Sequence, residues 1–499
     1  MKGMTHLKLA VATLLGTVAL HGPTAFAQEM PDFEKWECKR CPFPAKGLDG
    51  EAGASALNVS DDSARFGDYT GLDESGAYLN ADADLLYRAE GGYTVSVLAR
   101  DLGLDSRALA VEAGHRGRWM VDLSWDEIPR RLDDSVETVF SGIGSRQLTL
   151  PSSWVRGNFT SDLAALDASL RGFELGWDRK TLGLGFEFVQ SERLRYELEA
   201  STQTKQGSGL TWGSFIGTAA DLVKPLDYQT DRVDAALIYS GVNWNLRVGY
   251  YGSFFSNQDT SLTWENPFNG PDRGRMAMAP DNLYHQGMIS GGYRFDTWDT
   301  TLNASYARGR MENTDSLLPY TINPAIPAQP LPVAEYDGQA DTTHTNLRLS
   351  ARPNRRLRLT GEYRSSERDN KSKQYEWLLV QADAFQSPSA LNPVYSYETR
   401  DLSFSADYRY SRVVQFGAGW LSKVRDRDYQ DVTRTEEDGT WARVRFRPID
   451  QLGLGLRAES TSRDAREARA TPFVGAGSAQ NPLLRKYYLA DRDRDLLQA

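Results

Sequence analysis

The stretch Asp401-Leu402-Ser403-Phe404-Ser405-Ala406-Asp407-Tyr408-Arg409-Tyr410 decides the fold, because Leu402, Phe404, Ala406, Tyr408 and Tyr410 occupy every second position. After a tight turn, Val414, Phe416, Ala418 and Trp420 alternate in the same way with Gln415, Gly417 and Gly419. Side chains alternate faces along a strand, so both segments present one apolar and one polar face, and the pair forms a hairpin. The next pair repeats the design: Ala442, Val444 and Phe446 alternate with Arg443, Arg445 and Arg447. Then, past Pro448-Ile449-Asp450, Leu452, Leu454, Leu456 and Ala458 alternate with Gly453, Gly455, Arg457 and Glu459.

The pattern continues upstream. Leu347 and Leu349 lead through Arg352-Pro353-Asn354-Arg355 into Leu357, Leu359 and Tyr363; Leu302, Ala304 and Tyr306 follow a turn at Trp298-Asp299; Val242 to Tyr250 follows one at Ser240-Gly241. Phe173, Leu175 and Trp177 are expected to turn at Arg179-Lys180 into Leu182, Leu184, Phe186 and Phe188. That phase resumes at Leu194, Tyr196 and Leu198, as if one long strand protruded from the sheet. Tyr93 to Ala99 and Trp119 to Trp125 complete a count of about 16 strands.

A soluble sandwich or propeller shows the same alternation, and three features point instead to a large antiparallel transmembrane β-barrel. Turns within hairpins are short, whereas the connections 126–168, 200–231, 252–283, 309–342 and 365–399 are long and polar, as in outer-membrane barrels. Trp177, Tyr250, Tyr363, Tyr410 and Trp420 fall near strand ends, where aromatic girdles belong. Trp177-Asp178 and Trp298-Asp299 do not recur at a propeller period. A hydrophobic content of 40% with 25% charged residues suits strands that are half lipid-facing and half wet. Arg348, Arg356, Arg358, Glu362, Asp407, Arg409, Arg443, Arg445 and Arg457 are then expected to point into the lumen.

The third feature is the N-terminus. Lys2 and Lys8, an apolar run over 9–20 and Ala25-Phe26-Ala27 make residues 1–27 a cleaved signal peptide. The run is shorter than the ~20 residues a spanning helix needs. The chain is therefore expected to be exported through the periplasm and to meet a membrane only as strands. Residues 28–76 form an N-terminal periplasmic or lumenal segment, 77–486 the barrel hairpins, and 487–499 the start of a further barrel segment.

Little in the sequence suggests enzyme chemistry. His6, His21, His115, His285 and His344 are scattered without metal-ligand or triad spacing. A net charge of -10 argues against nucleic acid. The exception is Cys38-Lys39-Arg40-Cys41-Pro42. In an oxidising compartment Cys38 and Cys41 suit a structural disulfide, an idle thiol pair, or a redox or partner-sensing dithiol whose thiolate Lys39 and Arg40 favour. No His follows the second Cys, so no haem is expected to be attached there. The run Tyr487-Tyr488-Leu489-Ala490-Asp491-Arg492-Asp493-Arg494-Asp495 reads as a short apolar patch followed by a solvated run of alternating charge.

The signal, the Cys38/Cys41 pair, the successive hairpins and the 487–495 run together resemble the MtrB/PioB family of decahaem-associated outer-membrane proteins. The resemblance implies an outer-membrane barrel that sheathes a periplasmic multihaem c-type cytochrome, with a second multihaem cytochrome outside in some members. The c-type haems would be carried by the partner, electrons would cross the membrane through them, and the barrel itself would be no enzyme. The Cys pair resembles the metal-reducing branch. Family barrels are longer and outer-membrane barrels commonly end on an aromatic, whereas this chain ends Asp493-Arg494-Asp495-Leu496-Leu497-Gln498-Ala499 with no closing strand expected after 487. A truncated member is the expectation. The strand pattern alone also fits a diffusion porin or solute channel with no cytochrome inside.

Overall fold

The computed structural model describes residues 46–499 apart from 216–217, 382–383, 430–431, 450 and 469–488. The signal peptide, Cys38, Cys41, Tyr487 and Tyr488 lie outside the described residues. The strands of the N-terminal part are β1 (Gly47–Val59), β2 (Gly76–Arg88), β3 (Tyr93–Arg100), β4 (Ala108–His115), β5 (Trp119–Thr138), β6 (Gln147–Leu148), β7 (Arg171–Ser191) and β8 (Leu194–Phe215). Next come β9 (Thr218–Ser240), β10 (Trp244–Asn257), β11 (Ser261–Glu265), β12 (Arg273–Ala277), β13 (Asn282–Phe295), β14 (Thr300–Ser316), β15 (Glu335–Asn354) and β16 (Leu357–Asn370). The last are β17 (Glu376–Gln381), β18 (Ala384–Leu391), β19 (Tyr397–Arg409), β20 (Val414–Arg427), β21 (Val432–Ile449), β22 (Leu452–Ala468) and β23 (Arg492–Gln498).

Eighteen of these form one antiparallel sheet in which each strand pairs with the next in chain order, β6, β11, β12, β17 and β18 being set aside. The meander continues unbroken from β9 through β10 and β13 to β23. Among the described residues β1 and β23 each have a single paired neighbour. The sheet exceeds the expected 16 strands because it begins at Gly47, within the predicted N-terminal segment, and because Arg492–Gln498 pairs with β22. The run read as solvated alternating charge is therefore largely a strand.

At one end of the sheet every connection is a short turn. Asn354 Oδ1 accepts from the Leu357 amide at 3.0 Å in one, and Ser411 Oγ accepts from the Val414 amide at 3.1 Å in another. Trp298 and Asp299 turn the chain in the left-handed region at φ 57° and 44°. The predicted turn at Arg179-Lys180 does not exist. β7 runs straight through it and turns at Glu192-Arg193, so 182–198 is a hairpin and not one protruding strand. At the opposite end the strands extend far beyond the apolar belt. Much of the predicted connection 200–231 is a continuation of β8 and β9, which pair from Leu194/Tyr239 to Phe215/Thr218.

The belt itself is exposed. Leu347, Leu349, Phe404, Tyr408, Phe416, Val444, Phe446, Leu454 and Leu456 all present side chains to the surroundings on one face. Their exposure is an error in water and a requirement in lipid, where a sheet must satisfy its backbone internally and offer apolar side chains outward. Near the short turns, aromatics of adjacent strands stack along this face, Phe188 on Tyr196 at 6.3 Å and Tyr239 on Trp244 at 4.9 Å.

At the long-loop end the connections fold into a cap with its own core. β11 pairs antiparallel with β12 and parallel with β6. Phe140, Leu148, Phe215, Ala220, Leu222, Leu262 and Trp264 are buried together. Trp264 fits because Gly213 and Gly274 flank its ring; a Cβ on either would meet ring atoms at 2.4 and 2.2 Å. Glu265 Oε2 accepts from the Leu150 amide at 2.7 Å, and Trp154 Nε1 donates to the Pro267 carbonyl at 3.0 Å. Burial pushes the Asp259 carboxyl of this cap above the usual range, Arg146 opposing and Asp227 reinforcing. No helix among the described residues is long and apolar enough to cross a membrane.

Candidate functional site: the lumen-facing wall

Registers place the polar residues opposite one another on the face behind the apolar belt. Arg348 faces Glu362 across β15 and β16, Arg358 faces Asp407 across β16 and β19, and Arg445 faces Gln415 across β20 and β21. Arg409 also faces Gln415, on the β19 side. Eight of the nine predicted lumenal residues thus share this wall. The ninth, Arg356, does not: it sits in the β15–β16 turn, where its amide donates to Asn354 Oδ1 at 2.9 Å and its carbonyl accepts from the Arg409 amide at 2.7 Å. Its even position is in phase with Arg358, but the strand has already ended and turn geometry directs the residue.

The wall is built from ion pairs that reach across strands. Arg443 donates to Asp407 at 2.5 Å although β20 lies between them. The bridge is possible because Gly417 occupies the crossing point; a Cβ there would meet Arg443 Nε at 2.7 Å and Asp407 Oδ1 at 2.8 Å. Arg425 pairs with Asp401 at 2.6 Å, and Arg457 with Glu459 at 2.6 Å. Arg443 and Arg457 stand directly opposite each other, and both guanidinium groups lie over the ring of Trp441, at 5.2 and 5.0 Å.

Trp441 is a wall residue that the sequence reading missed. Its signal is phase: it precedes Arg443 and Arg445 at the same parity and so belongs with the charges rather than with Ala442 and Val444. Trp177 was expected in a girdle and is instead on the inner face, between cations. Lys205 Nζ lies 4.0 Å from its ring centroid and the Arg130 guanidinium 5.5 Å away, while Arg130 itself pairs with Asp68 at 2.7 Å. Asp68 belongs to the β1–β2 loop, whose short helix Ala64–Gly67 starts at Ser63, Oγ accepting from the Phe66 amide at 3.3 Å. In the same loop the Ser75 side chain and amide hold the Asp62 carboxyl below the usual range.

The histidines remain apart. His285 meets the Tyr250 hydroxyl at 2.6 Å on the outer face, and His344 meets Ser366 Oγ at 3.0 Å. Among the described residues no group of three His, Cys, Asp or Glu side chains could hold a metal ion.

A model of the family described as outer membrane beta-barrel porin, MtrB/PioB, matches residues 58–499, from the end of β1 to the last residue. The chain belongs to that family. It is an outer-membrane β-barrel protein. A curated relative, outer membrane protein MtrB of Shewanella baltica (strain OS185), is 31% identical over 472 residues, which cover 93% of this chain and 66% of the relative. The chain therefore spans just under two-thirds of that protein's length. Among solved structures, the siderophore receptor PiuA of Acinetobacter baumannii is similar with a TM-score of 0.39 and 11% identity, over 85% of this chain and 64% of that one. OmpT of Vibrio cholerae is similar with a TM-score of 0.28 and 9% identity, over 76% of this chain and 87% of that one. For a barrel of the MtrB/PioB family, the wall just described is the inner surface. The long-loop end with its cap is the outer end, and the short turns face the periplasm.

Proposed function

We propose that this MtrB/PioB-family barrel sheathes and positions a periplasmic multihaem c-type cytochrome, so that electrons cross the outer membrane through the haems of the partner. The chain's contribution is passive and non-enzymatic. The observation that carries the reading is the wall: a broad polar face of cross-strand ion pairs and Arg-flanked tryptophan, backed by an apolar face for lipid. Barrels of 16–18 strands already leave an aqueous channel, and wider ones hold a folded plug. Such a wall can grip a soluble protein by hydrogen bonds and ion pairs while insulating it from lipid. β1 starts at the short-turn end at Gly47, and Cys38 and Cys41 precede it in the sequence by nine and six residues. A disulfide or dithiol there would act beside the sheath's entrance. A second multihaem cytochrome docked on the outer cap would complete the conduit.

The test is to isolate the barrel from outer membranes, stain for haem, and reconstitute the barrel alone and with its co-isolated partner in liposomes. A haem protein that co-isolates and seals the barrel against small solutes is the expected result. If no haem protein co-isolates and the barrel leaks solutes freely, it is a diffusion porin.

A further inference from the structure

The lumenal wall is not uniformly mixed in charge; the two flanks of the sheet differ in sign. On β1–β5 the inward positions carry Asp49, Glu51, Asp82, Asp84, Glu112, Asp122 and Asp126 against the two cations Arg88 and Arg100, Arg88 pairing with Asp49 at 4.0 Å, in phase opposite to the outward Val97, Val111, Leu123 and Trp125. Two like-charged pairs stand directly across from each other there, Glu51 against Asp84 and Glu112 against Asp122. Like charges in that position destabilise a sheet. Among the described residues, no cation pairs with any of these four carboxylates.

On β15–β22 the inward positions carry Arg348, Arg358, Arg364, Arg443, Arg445 and Arg457. The acids interspersed with them are already engaged: Glu362 by Arg364, Asp407 by Arg443 and Glu459 by Arg457. Arg348 and Arg445 keep their charge free of any ion pair among the described residues. Between the flanks the wall is balanced, Arg195 and Arg247 both reaching Glu197 and Arg247 also reaching Asp234.

We infer that the lumen is a two-signed docking face for a dipolar protein, which lays a lysine- and arginine-rich side on β1–β5 and a carboxylate-rich side on β15–β22. This rests on the sheath reading and adds the orientation: a partner with such a dipole can enter in one rotational setting, because turning it puts like charges together on both flanks. The unpaired acids of β1–β5 and the free Arg348 and Arg445 are the groups a partner neutralises, and their strength falls with salt.

The experiment uses the purified full chain in neutral detergent with fluorescent oligolysine and oligoglutamate as probes of each sign. Both are expected to bind. Glu112→Lys with Asp122→Lys should weaken oligolysine at least about tenfold and leave oligoglutamate unweakened, and Arg348→Glu with Arg445→Glu should do the reverse. Heat-modifiable gel migration verifies folding. If a reversal fails it, Glu112→Gln with Asp122→Asn, or Arg348→Gln with Arg445→Gln, replaces it. A flank variant that weakens both peptides, or neither, overturns the inference. In outer membranes both variants should release the co-isolated haem protein at lower salt than the parent. If the parent retains no haem protein while the peptides discriminate as expected, the sheath reading fails and the two-signed face stands.

Discussion

Replacing Phe404 by Arg is expected to cost about 2–4 kcal/mol of barrel stability, the depth-dependent penalty for a cation on the lipid face of a transmembrane strand. Phe404 is 54% exposed, stacks on Trp420 at 6.1 Å, and lies in the middle of the β19 belt. In a water-soluble sheet the same substitution at so exposed a position would change stability by less than about 0.5 kcal/mol. The neighbouring substitution Ser405→Arg reverses the face, pointing into a wall that already holds Arg358 and Arg443, and should cost far less. Urea titration of the two variants folded into lipid vesicles measures the contrast. Equal penalties at 404 and 405 would remove the assignment of faces.

The second large effect lies in the cap. Trp264→Ala is expected to cost about 3–5 kcal/mol of local stability, the range for deleting a large buried aromatic. Trp264 is 4% exposed, edge-on to Phe215 at 6.0 Å, and held between Gly213 and Gly274, which have no side chains to refill the space. The loss should open 258–281 to external protease on intact cells while the barrel stays inserted and heat-modifiable. A variant that loses insertion as well would show that cap and barrel fold as one cooperative unit.

The hairpins β19–β22 were legible from sequence because their belt portions, 402–420 and 442–458, keep one face to lipid and the other to water, so polarity alternates there without interruption. β7 was misread for a physical reason. Within the belt its outward residues are Leu182, Leu184, Phe186 and Phe188. Above it the outward side meets water, and the apolar residues are the inward Phe173, Leu175 and Trp177, with Leu175 buried to 8%. Apolar residues change parity where the strand leaves the membrane, and a parity change without a break looks like a turn. The same exchange hid the upper parts of β8 and β9, whose inward Phe215 and Leu222 face the cap core rather than a solvated lumen. That core draws on connections far apart in sequence, so Trp264 gave no local sign of its burial.

The wall was half legible. Arg443, Arg445 and Arg457 announced their face by alternation, whereas the Arg443–Asp407 bridge over Gly417 depends on which strands are neighbours. Trp441 was passed over, although its parity with Arg443 and Arg445 places it on the charged face.

The most direct test of a barrel wrapped around a protein is access to its inner wall. Ser405→Cys, in a background of Cys38→Ser and Cys41→Ser, is labelled with a charged, membrane-impermeant maleimide in purified barrel and in intact outer membranes. Trp212→Cys, on the exposed part of the β8–β9 hairpin, is the control. Rapid labelling of Ser405→Cys in the purified barrel and strong protection in outer membranes, with Trp212→Cys labelled in both, is the predicted result. Equal labelling of Ser405→Cys in both preparations would contradict it and leave an open, water-filled pore.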